Sequence, residues 1–323
     1  MNRIIFSCAA LPLLLAVAPA AAQSYPAKPI RMVIGFPPGG GTDIVGRIVA
    51  QKLGEALKQQ IVTDNRGGAS GQIAAELVAK MPPDGYTLMM AHIAAMSILP
   101  SLQSKLPYDP QRDFALVGFI ANTVTGLFVN ATLPAKSVQE LVAYLKANPG
   151  KLNYGSSGVG QRFHLSTELF QRRTGTSIVH IPYKGAAQFL PELLAGRIDL
   201  IFFPPVENLM SQVKAGKLRL LAMATNERFP DFPDVPTLAE AGVPNFNVPD
   251  YTAVAFAAGT PKDIINRLNR ELARAVHSPN VRKAFADTAF VPITSTPEEA
   301  AQIVDRDVKT WGPLLKSFGI KPD

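Results

Sequence analysis

The segment from Pro29 to Asp43, PIRMVIGFPPGGGTD, sets a short apolar run against a proline-glycine loop and a helix start, and a later segment repeats the arrangement. Ile30 to Phe36 is apolar, β-branched and short enough to predict a strand; Pro37 and Pro38 end it, and Gly39, Gly40 and Gly41 follow. Ile44, Val45, Ile48, Val49, Leu53 and Leu57 then recur at helical spacing, with Thr42 or Asp43 placed to cap the helix they predict. A helix start carries free N–H groups and the positive end of the macrodipole, so it attracts carboxylate or phosphate. Loop glycines let a ligand approach the backbone, and the carboxyl ends of strands are where open α/β sheets bind ligands.

The second copy is LNYGSSGVGQRFH, Leu152 to His164, which leads into an amphipathic helix through Leu165, Leu169 and Phe170. Ser156 and Ser157 add hydroxyl donors to its loop. Two anion-accepting loops on separate strand-helix units predict two lobes that close on one small acidic molecule.

The start of the chain predicts a secretory signal over Met1 to Ala22: one early cation (Arg3), an apolar stretch broken by Pro12 and Pro19, and a PAAA end suited to cleavage. A membrane-anchoring helix is disfavoured by that short, interrupted stretch. Cys8, the single cysteine, lies inside the signal and too early for a lipid anchor, so neither disulfide nor thiolate site is expected in the mature protein. About 300 residues then remain, enough for two domains with their own cores. The net charge is +7, or +6 once Arg3 is subtracted. Its cations are scattered, with no basic block or interleaved aromatics, so nucleic-acid binding is not expected. A mildly positive field suits anionic ligands.

Strands predicted at Gln60 to Thr63 and Tyr86 to Met90 flank a helix over Gln72 to Lys80, which gives βαβαβ and hence a mainly parallel sheet covered by helices. Phe114 to Ile120 and Gly126 to Asn130 are strand-like without a helix between them, so the chain should cross there into a second lobe. Ser137 with Glu140 predicts a capping box, as does Thr237 with Glu240 before a short helix. Further strands are expected at Ile178 to Ile181, Ile198 to Phe203, Leu218 to Ala224 and, returning, Thr252 to Ala257. Thr260-Pro261 with Asp263, and Thr296-Pro297 with Glu299, mark two late helices, each with its threonine cap and Pro in the first turn. The expected organisation is a discontinuous first lobe, 24–123 plus 250–323, around a continuous second one, 124–249.

Catalysis finds little support. Gly155-Ser156-Ser157-Gly158-Val159 lacks the last glycine of a hydrolase elbow. No two-histidine metal spacing, dinucleotide fingerprint or phosphate loop occurs, so neither cofactor nor metal is expected. A transcriptional regulator's effector lobes are excluded by the secretory signal. A sensory role, signalling to a membrane sensor, stays open.

FPPGGGTD, NRGGASGQIAAELVAKMPPDGYTL, LPYDPQRDFALV, LNYGSSGVGQRFHL, IVHIPYKG, KAGKLRLLA, FPDVPTLAEAG, AGTP and STPEEA resemble, in order and over essentially the whole mature chain, the motifs of tripartite tricarboxylate transporter receptors, the Bug receptors. The resemblance implies an α/β, two-lobed periplasmic binding protein, type II-like, that does no chemistry. It would deliver a small carboxylate, whether di-, tri- or aromatic, to a permease of one large and one small membrane subunit. A monomer is the default for such a diffusing receptor. Carried onto this chain, the first ligand loop is Phe36, Pro37, Pro38, Gly39 and Gly40; the second is Ser156, Ser157, Gly158, Gly160 and Gln161, with His164 one turn into its helix.

Three departures from the family pattern bear on the ligand. Pro204 stands where relatives often carry Asp, which disfavours an amino-acid ligand. Gln161-Arg162 replaces smaller residues; Arg162 reads as a solvated cation, with contact to a distal carboxylate as the alternative. Tyr251 replaces a frequent Trp and reads equally as a cleft wall or a core aromatic. His92, at a third strand end, is a further candidate contact.

Overall fold

The computed structural model describes residues 25–317, apart from 40, 104, 157, 159–160, 184–185, 247, 249 and 287–289. The expected signal, Gly40, Ser157 and Gly160 therefore lie outside the described residues.

The first part of the chain runs β1 (Ile30–Ile34), α1 (Gly41–Leu57), β2 (Ile61–Asn65), α2 (Gln72–Ala79), β3 (Thr87–His92), a π-helical turn (Ala94–Ile98), α3 (Leu99–Leu102) and β4 (Phe114–Thr123). It then crosses into β5 (Gly126–Asn130), α4 (Val138–Ala147), β6 (Asn153–Ser156), α5 (Arg162–Thr174), β7 (Val179–Pro182), α6 (Ala186–Leu194), β8 (Leu200–Phe203), α7 (Glu207–Lys214) and β9 (Leu218–Met223). It returns through β10 (Thr252–Ala257), α8 (Lys262–Val276), α9 (Pro279–Ala286), β11 (Phe290–Pro292) and α10 (Pro297–Ser317).

Two sheets result. One has the order β11-β4-β10-β3-β1-β2, the other β7-β6-β8-β5-β9. They follow one plan. β1 lies between its parallel partners β2 and β3, and β6 lies between parallel β7 and β8. Next to each trio sits an antiparallel strand that has just arrived from the other sheet: β5 against β8, and β10 against β3. The two ligand-loop candidates thus leave the carboxyl ends of equivalent central strands, and both crossings pass beside them.

Burial explains the strand assignments. Ile30, Met32, Val33 and Ile34 of β1 are all fully buried, as a central parallel strand covered on both faces requires. Every residue of β10 is buried, and its alternating alanines fit it between β3 and β4. α1 lays Val45, Val49, Leu53 and Leu57 on the first sheet, and α5 lays Leu165, Leu169 and Phe170 on the second.

Two expectations are corrected. Thr237 and Glu240 do exchange capping bonds, Glu240 N to Thr237 Oγ1 at 3.1 Å and Thr237 N to Glu240 Oε2 at 2.8 Å, yet they close a turn and not a helix. At α8 the capping position falls on Pro261, because the Thr260 hydroxyl turns back to donate to the Ala257 carbonyl at 2.8 Å.

Candidate functional site

A cleft of about 490 Å³ opens between the two sheets, with the crossings as its floor. Gly41, Thr42 and Ile44 line it from the start of α1; Gln161, Arg162 and Phe163 line it from the start of α5. The first turn of each helix has N–H groups without intrahelical acceptors, so the cleft has two helix N-termini aimed at one space. Phe36, His92, Thr123, Phe203, Pro204, Val206, Asp250 and Phe290 complete the lining.

The first loop is held from within. Asp43, almost fully buried, accepts the Gly39 N–H and the Arg47 Nε–H through Oδ2, each at 2.9 Å, and the Asn65 amide through Oδ1 at 2.8 Å. Asn65 also donates to the Phe36 carbonyl at 2.9 Å. Burial alone would raise the Asp43 pKa, but these donors together hold it below its ordinary value. Gly39, at φ +82°, spends its N–H on Asp43, and both it and Pro38 are exposed outside the cleft lining.

The second loop is also self-bonded. Ser156 is fully buried; its hydroxyl meets His180 Nε2 at 2.7 Å, donates to the Gly158 carbonyl at 3.1 Å and receives the Gly158 N–H at 3.2 Å. Gly158 adopts φ +128°, a region side chains other than glycine rarely occupy. His180 stacks on His164 with centroids 4.1 Å apart, and both rings stack on Tyr154. Ser156, Gly158 and His164 are thus bonded or stacked within the second lobe, and none of them is among the cleft-lining residues. Gln161 does line the cleft, and its amide donates to Ser70 Oγ of the first lobe at 2.5 Å.

The histidine stack carries a pH consequence. Burial, aided by its neighbour His180, lowers the His164 pKa to about 3, and burial lowers that of His180 to about 4. Unfolded histidine takes up a proton near pH 6.5, so the unfolded chain gains protons first as pH falls. Stability is complete above about pH 6.5 and declines toward pH 4, by up to about 1.4 kcal/mol per pH unit for each histidine. Urea unfolding at pH 7 and pH 5 checks this, and His180→Asn flattens the decline.

At the floor, Arg162 and Asp250 form an ion pair, Nη1 to Oδ2 at 2.5 Å, with side chains 13% and 4% exposed. This corrects the reading of Arg162 as a solvated cation. Asp250 lies on the crossing into β10 and accepts the Thr123 N–H, from the other crossing, at 3.2 Å. Burial would raise the Asp250 pKa; Arg162 first, then His92 and the Thr123 N–H, hold it low. His92 Nδ1 accepts the Ala94 N–H at 3.2 Å, which leaves Nε2 facing Asp250 Oδ1 at 3.7 Å. Burial keeps this ring below its ordinary pKa despite that carboxylate.

Across the cleft from Pro204 the lining does hold a carboxylate, Asp250, already paired with Arg162. Tyr251 is corrected to a core aromatic: it is 2% exposed, shares a 2.6 Å hydrogen bond with Ser97 Oγ and stacks on Phe119 at 4.7 Å. Strand geometry explains it, since neighbours alternate faces and Asp250 takes the cleft side. Sequence reasoning missed Asp250, Thr123, Phe163, Val206 and Phe290 as lining residues; Phe163 lies within the second loop motif, and no motif marks the other four. Among the described residues no cluster of His, Cys, Asp or Glu could hold a metal ion, and no helix is long and apolar enough to cross a membrane.

Comparison with known proteins matches residues 45–320 to the tripartite tricarboxylate transporter family receptor profile. Protein BugT of Bordetella pertussis is 36% identical over 307 residues, covering 94% of this chain and 93% of BugT. A solved periplasmic transporter is 41% identical with a TM-score of 0.80, covering 93% of this chain and all of that one. R. palustris Rpa4515 with adipate is 35% identical with a TM-score of 0.81, over 93% of this chain and all of its own. The family is one of solute-binding receptors and not of enzymes. The chain belongs to the tripartite tricarboxylate transporter receptor family, among the Bug receptors.

Proposed function

We propose that this receptor works in the periplasm after cleavage of its signal, captures one small carboxylate between its lobes and hands it to a permease of one large and one small membrane subunit. The lobes are 24–123 with 250–323, and 124–249, and they hinge at the crossings near Thr123 and Asp250. The observation that carries this reading is the pair of helix starts, α1 and α5, that line one cleft from opposite sheets. N–H groups at both ends of the space attract an anion, and binding to both lobes at once favours the closed arrangement. The adipate complex of Rpa4515, a relative with the same fold, supports a carboxylate as the ligand class. The proposed contacts are Phe36, His92, Gln161 and Pro204, expected from the sequence and present in the lining, together with Gly41, Thr42, Phe163 and Phe203.

A thermal-shift panel of aliphatic dicarboxylates, tricarboxylates, aromatic carboxylates and acidic amino acids tests the proposal, since a ligand that binds only the native state raises the melting temperature. One acid class should raise it while the matching amide does not. Absence of a shift with every acid, or turnover of one, would overturn the receptor reading.

A further inference from the structure

The walls of the cleft specify what the rest of the ligand is made of, an inference that rests on the receptor reading above. Aromatic rings stand at both helix starts. The Phe290 ring covers the start of α1 so closely that a Cβ on Gly41 would meet it at 3.0 Å. Phe163 is the second residue of α5, and its ring packs on Phe203 with centroids 4.8 Å apart. A ligand body that extends from these termini into the cleft therefore has these three rings among its walls. Phe36, edge-on to His92 at 5.0 Å, adds a further ring to the lining, and Ile44 and Val206 add aliphatic surface.

The charges point the same way. Among the described lining residues Arg162 is the only permanent cation and Asp250 the only acid, and they neutralise each other. A second carboxylate on the ligand would enter a largely apolar space whose one permanent cation is already balanced by Asp250, although the Arg162 Nε–H has no acceptor, and would face Asp250 besides. Removing such a charge from water without a partner is strongly unfavourable. An aromatic ring instead meets offset and edge-to-face partners that stabilise it beyond its buried area. A volume of about 490 Å³ lies in the range of pockets that enclose whole small ligands, and a single substituted ring fits within it.

We infer that the ligand is an aromatic monocarboxylate of the benzoate type, held by its carboxylate at the helix starts with its ring between Phe163, Phe203 and Phe290. The cleft selects against open-chain diacids such as adipate.

Isothermal titration of the purified protein with benzoate, hexanoate and adipate tests this. Benzoate should bind at least about tenfold more tightly than either open-chain acid. Phe203→Ala should weaken benzoate at least about tenfold and leave hexanoate nearly unchanged. Phe163→Leu, which keeps apolar volume but removes the ring face, guards against a folding defect and should act in the same direction. Adipate binding as tightly as benzoate would overturn the charge argument, and hexanoate doing so would overturn the ring argument; in both cases the receptor reading survives. If none of the three binds and no acid in the wider panel shifts the melting temperature, both readings fall.

Discussion

Replacing Arg162 by Ala should lower the unfolding free energy by about 3–5 kcal/mol, because it strands Asp250 as a buried carboxylate without its cation. The pair owes little of this to net attraction. Both side chains have already lost their water, at 13% and 4% exposure, and the Coulombic gain largely offsets that desolvation. The double variant Arg162→Met with Asp250→Leu should therefore recover most of the loss, short of about 1 kcal/mol for the orphaned Thr123 N–H. Urea denaturation of the two single variants and the double variant closes the thermodynamic cycle. Single and double losses that simply add would show that the pair is solvated, not buried. Asp250 should also make the Arg162→Ala variant sensitive to mild acid: once its cation is gone, burial is the leading influence on that carboxyl and raises its pKa.

Asp43→Ala should have the second largest effect, and it joins stability to binding. One carboxylate serves three donors, from Gly39, Arg47 and Asn65, and Asn65 in turn holds the Phe36 carbonyl. Removing it takes one shared acceptor from three partly exposed donors, which can turn to water, and frees the loop that sets the start of α1, at a cost of about 1–2 kcal/mol. Affinity for any acid that stabilises the wild type should fall at least about tenfold, since the N–H groups at Gly41 and Thr42 lose their fixed direction. Asp43→Asn keeps one acceptor and should fall between. Denaturation and titration of the same samples separate the two effects. Unchanged affinity in Asp43→Ala would remove the first loop from the site.

Local signals made much of this architecture legible. The β1 loop and α1 follow from a short apolar run, two prolines and a 3.6-residue stripe, and the Leu152 copy follows by the same pattern. The absence of a helix between β4 and β5 located the crossing between sheets. Ser137 with Glu140 and Thr296 with Glu299 do start α4 and α10. The π-helical turn at Ala94–Ile98 was not legible, because five residues, all buried, carry no period that tells one helix type from another. Neither was β11, three residues whose pairing with β4 is set entirely by tertiary contact.

The site was legible at its backbone and less so at its side chains. Helix starts are local features, so the two loops could be found; which N–H groups remain free could not. Gly39 and Gly158 turned out to be bonded within their loops through Asp43 and Ser156, partners whose orientation depends on the packed structure. Arg162 read as exposed because most arginines are. The partner that buries it, Asp250, lies 88 residues away on a crossing segment that has no motif. Phe290 reached the cleft by the same route, carried there by a strand the sequence did not announce.

The most direct measurement is a crystal structure of the protein with the acid that gives the largest thermal shift. It should show the carboxylate oxygens within hydrogen-bond distance of N–H groups in the first turns of both α1 and α5, with the ligand body against Phe163 and Phe203. A carboxylate bound at one helix start alone, or anywhere outside this cleft, would contradict capture between the two lobes.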